Sequence, residues 1–566
     1  MLNDQTKRKS NAHLIEACSL SFSYNHHNNN IAGRALKDVS FFVDEGERIA
    51  ILGHNGSGKS TLVKILGGLQ EASEGQCLIN GVNISEINFR DLRTTIGIVF
   101  QDPENQIVAA MVEDDAAFAP ENQGLPSGEI QARVDDALQR VNLMHKQGSS
   151  VSALSGGEKQ RLALAGVLTA HVKCLILDEA TAMLDPVGRL NIERVLKELH
   201  KSGMTIIQVT HQLEPENFDD IQRVIVLSHG EIIWQGATQD FWADSEALGF
   251  DLPDEFRIKK YFDSHNINFP DYFASLNINS SHYASREDSI NTPVKFVINN
   301  LSFKYDDEKL QTIKNLSASI YSGQWLSIVG RTGSGKSTLV QHLNALYKIQ
   351  SGEILFDSKP LAQKGKEVYE LRQKVGLVFQ HPEDQLFSLT VRDELAFAPK
   401  NAGFNKHELD EAILYALECV GLEKSFLDRN PLALSGGERR LAAIASVLSA
   451  KPECIALDEP LAGLDAHYQH QILNMLTKFK NDGKTVITIT HDLNAALNYS
   501  DRILILRDGS TIQEGSPDEV IKSVMQNLES GAWPDVLRIS AKIHEINKNF
   551  PLLYNYEDFI SCISQV

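Results

Sequence analysis

Two nine-residue runs carry the most specific chemistry in this sequence. They are Gly53-His54-Asn55-Gly56-Ser57-Gly58-Lys59-Ser60-Thr61 and Gly330-Arg331-Thr332-Gly333-Ser334-Gly335-Lys336-Ser337-Thr338. Each has the form Gly-x-x-x-x-Gly-Lys-Ser and follows a short apolar run. The glycines let the backbone curl so that successive N–H groups face phosphate oxygens. A helix starting at the lysine adds its positive end. Lys59 and Lys336 are then placed to reach the β and γ phosphates, and Ser60 and Ser337 to ligate Mg²⁺. Asp178 and Asp458 close apolar runs and supply the carboxylates for the same ion, directly or through water. Glu179 and Glu459 come next, where a general base can polarise an attacking water.

Three more residue types recur in step with these. His211 and His491 each lie 32 residues after their glutamate, a spacing that suits a γ-phosphate sensor that also holds the water. Gln101 and Gln380 each end a Val-Phe-Gln run and are candidates for Mg²⁺ and water contact. Ser155-Gly156-Gly157 and Ser435-Gly436-Gly437 sit in Leu-Ser-Gly-Gly-Glu, 23 residues from serine to aspartate in both copies. A serine and two glycines opening a helix make a second anion site from N–H groups and the helix dipole.

The elements that must position these groups are duplicated. The phosphate loops are 277 residues apart, the Val-Phe-Gln runs 279, and the later motifs 280. Near-constant spacing in one order means a repeated domain, not a short-period solenoid. Arg48–Leu52, Cys174–Leu177 and Thr205–Val209 are short apolar runs, matched by Trp325–Val329, Cys454–Leu457 and Thr485–Ile489. Such runs predict parallel strands buried on both faces, with functional residues at their C-terminal ends. The expected division is a polar tail at 1–11, a domain at 12–245, a linker at 246–292, a second domain at 293–530 and a tail at 531–566. Residues 275–293 are rich in Ser and Asn and read as connecting chain; 246–274 is mixed and aromatic, with the composition of a locally packed segment.

Composition narrows the function classes. The chain has 566 residues, 42% hydrophobic and 23% charged, with a formal charge of −20. That is enough apolar surface for several cores, and an acid excess that disfavours nucleic-acid binding. Six cysteines without a C-x-x-C argue against a disulfide framework or a zinc ribbon, and for a reducing cytosol. Cys174 and Cys454 open apolar strands and are expected in the core. The first residues carry Lys7, Arg8 and Lys9 with no apolar stretch after them, so no signal peptide is expected. No apolar run reaches the roughly 18 residues of a membrane-spanning helix.

Together the motifs resemble the ATP-binding cassette ATPases, over about 12–245 and 293–525. The resemblance implies an α/β fold with two tandem nucleotide-binding domains, each a phosphate-loop NTPase core with a mainly parallel sheet and a helical subdomain bearing the Ser-Gly-Gly signature. It implies an intramolecular pseudo-dimer of cassettes, with ATP held between one phosphate loop and the other signature. One site then uses Lys59, Ser60, Gln101, Asp178, Glu179 and His211 with Ser435, Gly436 and Gly437. The other uses Lys336, Ser337, Gln380, Asp458, Glu459 and His491 with Ser155, Gly156 and Gly157. Tyr24 and Tyr305 match the family's adenine-stacking aromatic, and Leu184-Asp185 and Leu464-Asp465 its cross-interface loop.

The segments after the glutamines narrow the resemblance. Gln101-Asp-Pro-Glu-Asn-Gln and Gln380-His-Pro-Glu-Asp-Gln, each followed by an Ala-Phe-Ala-Pro-x-Asn stretch, are similar to energy-coupling factor ATPases. That resemblance implies a vitamin or transition-metal importer, with a membrane scaffold (T-type) subunit and a small substrate-binding membrane (S-type) subunit. The chain would then lie on the cytoplasmic face of the cell membrane. Glu113, Asp114, Asp115, Asp393 and Glu394 are expected to line an acidic groove for arginines of the scaffold. The substrate stays open among hydroxymethylpyrimidine or thiamine, other vitamins, cobalt and nickel. The competing class is a twin-cassette ATPase acting on ribosomes or DNA, for which the acidic charge and polar linker are a poor match.

Overall fold

The computed structural model describes residues 13–24, 34–181, 184, 186–211, 220–265, 267, 292–305, 311–527 and 533–564, with backbone only at Pro186, Val187 and Asn527. The expected tail at 1–11, Asp185 and nearly all of 275–293 lie outside the described residues. Two compact units divide the chain, Met1–Leu252 and Pro253–Val566.

In the first unit a six-stranded sheet runs in the order Glu231–Ala237, Arg223–Ser228, Arg48–Leu52, Thr205–Thr210, Cys174–Asp178, Ile96–Val99. All neighbours are parallel except the first pair. Arg48–Leu52, Cys174–Asp178 and Thr205–Thr210 are buried at every position, which is why their sequences are nearly unbroken apolar runs. Register then does the positioning. Val99 pairs with Leu177, and Asp178 with Val209, so Gln101, Asp178 and His211 emerge at one end of the sheet.

The second unit repeats this with Val375–Val378, Cys454–Asp458, Thr485–Ile489, Trp325–Gly330, Arg502–Arg507 and Ser510–Gly515. Each unit also carries a four-stranded antiparallel sheet: Ile15–Ser23, Arg34–Val43, Glu74–Ile79 and Val82–Asn83, and Val294–Phe303, Ile313–Tyr321, Ser351–Phe356 and Lys359–Pro360. It lies outside the expected alternation of parallel strands and helices. It covers one face of the main sheet: Phe41 and Val43 share a core with Ile49, Ile51, Leu62 and Ile176. The other face is closed by helices Val112–Asn122, Ser127–Arg140 and Gly156–Leu168, through Leu138, Leu162, Leu175 and Leu177. Val391–Asn401, Lys406–Val420 and Gly436–Leu448 do the same in the second unit.

The repeats solve one core position in opposite ways. Arg48 is fully buried, its Nη2 donating to Glu193 at 2.7 Å and to Gln208 at 2.9 Å. In the second unit Trp325 takes that strand position and donates its indole N–H to Thr488 at 2.9 Å. Leu473 stands where Glu193 does on the matching helix. A buried ion pair and an apolar cluster are interchangeable solutions only as complete sets.

Packed elements occupy parts of the stretches given above as the linker 246–292 and the tail 531–566. Residues 246–252 fall in the first unit, where Phe250 stacks on His54 of the phosphate loop at 5.0 Å. Asp254–Ser264 is a helix of the second unit. It packs through Ile258 on Val536, Ile543, Phe559 and Cys562 of the helices Asp535–Ile546 and Tyr556–Ser564. All six cysteines are free, with Cys174 and Cys454 fully buried and their thiols pushed up to about 12 by that burial.

Candidate functional site

Each phosphate loop bridges a buried strand and a helix, Lys59–Leu66 or Lys336–Leu343. Gly58 takes φ +102°, and a Cβ there would lie 2.4 Å from the Ala35 carbonyl oxygen. Only glycine meets both demands. Lys59 is buried. Its ammonium donates to the carbonyls of Gly53 at 2.7 Å and His54 at 3.1 Å, and lies 3.2 Å from Glu179 Oε1. Lys336 likewise donates to Gly330 and Arg331, at 2.9 and 3.0 Å.

Ser60 donates to Asp178 Oδ1 at 3.3 Å. Burial raises the Asp178 carboxyl to about 6, against the pull of the Ser60 hydrogen bond. Burial raises Asp458 too, and Ser337 opposes it in the same way. A hydroxyl beside a buried carboxylate is a hard-oxygen donor pair. It fits Mg²⁺, which keeps several waters and takes few protein ligands. Bound there, the ion would neutralise phosphate charge and keep the aspartate ionised.

Glu179 and Glu459 both have φ +49°. Left-handed backbone at a bulky residue is costly and clusters at functional sites. Here it is held by N–H bonds to Val209 and Ile489 on the neighbouring strand, at 2.9 and 3.0 Å. His211 Nδ1 lies 3.8 Å from Glu179, and His491 Nδ1 lies 2.9 Å from Glu459. Burial works against the charge on Glu179, but His211 and Lys59 outweigh it and hold the carboxyl at about 2. The group is therefore ionised, as a base must be before it accepts a proton.

Lysine, serine, aspartate, glutamate and histidine thus form one cluster in each domain. Tyr24 and Tyr305 join its edge through their hydroxyls, 3.0 Å from Thr61 Oγ1 and 2.9 Å from Thr338 Oγ1. The remaining loop residues, Asn55, Gly56, Ser57, Thr332, Gly333, Ser334 and Gly335, lie on the same turns. Ser155 and Ser435 stand apart, in the helical layer. Each caps its helix in a reciprocal box: Ser155 with Glu158 at 2.9 and 3.3 Å, Ser435 with Glu438 at 2.7 and 3.3 Å. Gly156 and Gly436 open the two helices.

The acidic groove needs correction. Asp115 and Glu394 are buried. Asp115 accepts the N–H groups of Val108 and Ala109 at 2.8 and 3.1 Å; Glu394 accepts those of Phe387 and Ser388 at 3.1 and 2.8 Å. They clamp the loop after each glutamine rather than face a partner. Glu113, Asp114 and Asp393 are exposed. The exposed surface beside them is apolar: Val108 and Phe118 in one domain; Phe387, Leu389 and Phe397 in the other, with Leu389 80% exposed. A helix face read only for charge hides this, because the clamping carboxylates look like solvated ones.

Sequence reasoning also missed the struts behind the glutamines. The Gln160 amide donates to the Phe100 carbonyl at 3.0 Å. In the second domain Arg440 takes that place and pairs with Glu383 at 3.1 Å. The sequence signal for them is Glu-Lys-Gln-Arg161 against Glu-Arg-Arg440, one neutral and one charged residue at the same step.

Comparison with known proteins agrees with the geometry. The ABC transporter family profile matches residues 36–182 and 313–462. A Methanosarcina acetivorans protein named as an ABC transporter ATP-binding protein is 32% identical over 560 residues, covering 93% of this chain and 90% of that one. A Caldanaerobacter subterraneus protein of the same naming is 32% identical over 557 residues, covering 93% and 95%. The structure of CbiO1 from Clostridium perfringens, described as part of the ABC transporter complex CbiONQ, is 31% identical, with a TM-score of 0.39, covering 45% of this chain and 95% of that one. The chain belongs to the ATP-binding cassette family, as a double cassette. Its domains are those of ATP-binding, ATP-hydrolysing proteins. Among the described residues no helix is long and apolar enough to cross a membrane.

Proposed function

We propose that this chain is the ATP-hydrolysing subunit of an importer of the energy-coupling factor type. It works at the cytoplasmic face of the membrane on a T-type scaffold and a small S-type substrate-binding subunit. ATP and Mg²⁺ bind at two composite sites: the Lys59 cluster completed by Ser435-Gly436-Gly437, and the Lys336 cluster completed by Ser155-Gly156-Gly157. Glu179 and Glu459 polarise the water, and His211 and His491 sense the γ phosphate. Binding closes the cassettes, and hydrolysis reopens them. The cargo is a vitamin-like compound or a transition-metal ion.

The observation that carries this reading is the clamped loop after each glutamine. Asp115 and Glu394 turn their carboxyl groups inward onto backbone N–H groups and hold an apolar surface out, next to a residue assigned to the metal and water. Exposed apolar patches of this kind mark protein partners. A scaffold helix seated there would feel every movement of the glutamine. The acidic chain and the match to transporter ATP-binding proteins favour it over ribosome or DNA work.

The test is purification of the tagged full chain from its own membranes in mild detergent. A multi-spanning scaffold with a small integral-membrane protein is expected, and Phe387→Asp with Leu389→Asp should release both. Recovery with ribosomes or DNA-repair proteins, without a membrane partner, would overturn the importer reading and leave the ATPase.

A further inference from the structure

The two signature motifs are not equivalent. In the first domain Ser155 is exposed and Gly157 half-buried; in the second Ser435 is half-buried and Gly437 buried. A tyrosine covers the second signature. The ring of Tyr468 lies against Gly437, so closely that a Cβ there would come within 2.3 Å of Cδ2. Its hydroxyl lies 3.5 Å from Ser435 Oγ. Tyr468 is the third residue of helix Ala466–Asn481; the third residue of the matching helix Pro186–Lys201 is Gly188. At Gly157, among the described residues, a Cβ would meet Leu184, at 3.5 Å.

Tyr468 is held in place from its backbone. Its N–H donates to Asp465 Oδ1 at 3.1 Å, and Asp465 is itself buried. Burial also raises the phenol, so it stays a protonated donor at neutral pH. Ser435 Oγ already accepts the Glu438 N–H, so its own hydrogen points elsewhere. A hydroxyl pair bonded to each other sits at about 2.7–2.8 Å. At 3.5 Å the two can instead straddle one anionic oxygen, each donating to it.

We propose that the Tyr468 hydroxyl is a second donor, beside Ser435, to the terminal phosphate of ATP at the site this signature completes. The site completed by Ser155 has Gly188 in its place and lacks that donor. The two ATP sites of this chain are therefore unequal by construction. The inference rests on the composite-site reading above.

The test uses the full chain with Glu179→Gln and Glu459→Gln, so that nucleotide is bound but not turned over. Calorimetric titration with Mg²⁺-ATP and with Mg²⁺-ADP reads the two sites. Tyr468→Phe keeps the ring over Gly437 and removes only the hydroxyl. It should weaken one of the two ATP sites about tenfold, the scale of one hydrogen bond to a charged group, and leave ADP binding unchanged. Ser435→Ala should weaken the same site. If Ser435→Ala weakens a site and Tyr468→Phe weakens none, the tyrosine proposal falls and the composite-site reading stands. If Ser435→Ala changes neither site, both fall. If Tyr468→Phe weakens ATP and ADP alike, the tyrosine only supports the loop, and the proposal is overturned.

Discussion

Arg440 is the buried joint of the second domain. It sits on the signature helix at 3% exposure, donates to Glu383 at 3.1 Å and also donates to the carbonyl of Ala462. Glu383 stands three residues after Gln380, and Ala462 two before Leu464-Asp465. Replacing Glu383 with Ala leaves a guanidinium buried without its anion. Breaking a buried pair from one side costs about 3–5 kcal/mol. The Glu383 side chain is 20% exposed, so water can reach part of the vacated space. The lower end applies, about 3 kcal/mol.

That cost should appear as local opening of helix Gly436–Leu448, read by amide hydrogen exchange with Gly156–Leu168 as internal reference. About 3 kcal/mol corresponds to protection about 150-fold lower. Arg440→Gln copies the first domain, where Gln160 needs no anion. Combined with Glu383→Ala it should restore about 2 kcal/mol of the loss.

The pH dependence has a definite sign. Burial would raise the Glu383 carboxyl, but His381 and Arg440 outweigh it and hold it at about 2, against an ordinary value of 4.5. A depressed carboxylate stabilises the fold fully above 4.5, and loses that contribution as pH falls toward 2. Wild-type protection should approach that of Glu383→Ala over this window. Unchanged protection in Glu383→Ala, or a double variant no better than the single, would refute the claim that this charge pair holds the joint.

Three further outcomes are expected. Glu179→Gln and Glu459→Gln should each slow hydrolysis at their own site by about a hundredfold or more, so steady-state turnover drops in both; a wild-type rate in either means that site was silent. Gly58→Ala should abolish nucleotide binding at the first phosphate loop, because φ +102° and the Ala35 carbonyl leave no room for a methyl; fluorescent-nucleotide titration with normal affinity at both sites would contradict the loop geometry. Glu193→Leu should cost about 3–5 kcal/mol by stranding Arg48, while Arg48→Trp, Glu193→Leu and Gln208→Thr together recreate the Trp325, Leu473 and Thr488 cluster and recover most of it; urea denaturation in which the single variant is as stable as the triple would show that the ion pair is not needed.

Much of the site was legible in the sequence, because its chemistry is written locally. A phosphate loop needs its glycines, lysine and serine consecutively, and a catalytic carboxylate needs the end of a buried strand. Arg48–Leu52, Cys174–Asp178 and Thr205–Thr210 are continuous apolar runs because both faces of their sheet are covered, and their C-terminal neighbours could be read as functional residues. Duplication then separated motif from coincidence.

What the sequence did not disclose depends on partners distant in the chain. The antiparallel sheets form by pairing across loops, as Ile15 pairs with Val43 and with Ile79. Asp115 and Glu394 carry the same charge as their exposed neighbours, and only the fold turns them onto backbone N–H groups. The helix Asp254–Ser264 gains its buried face from residues beyond 535. Tyr468 reaches the signature only because two helices bring it over Gly437. Residue type and spacing determined which chemistry this protein carries. Burial and long-range packing, which no local window contains, decided which carboxylates face solvent, which surface is left apolar, and how the two halves came to differ.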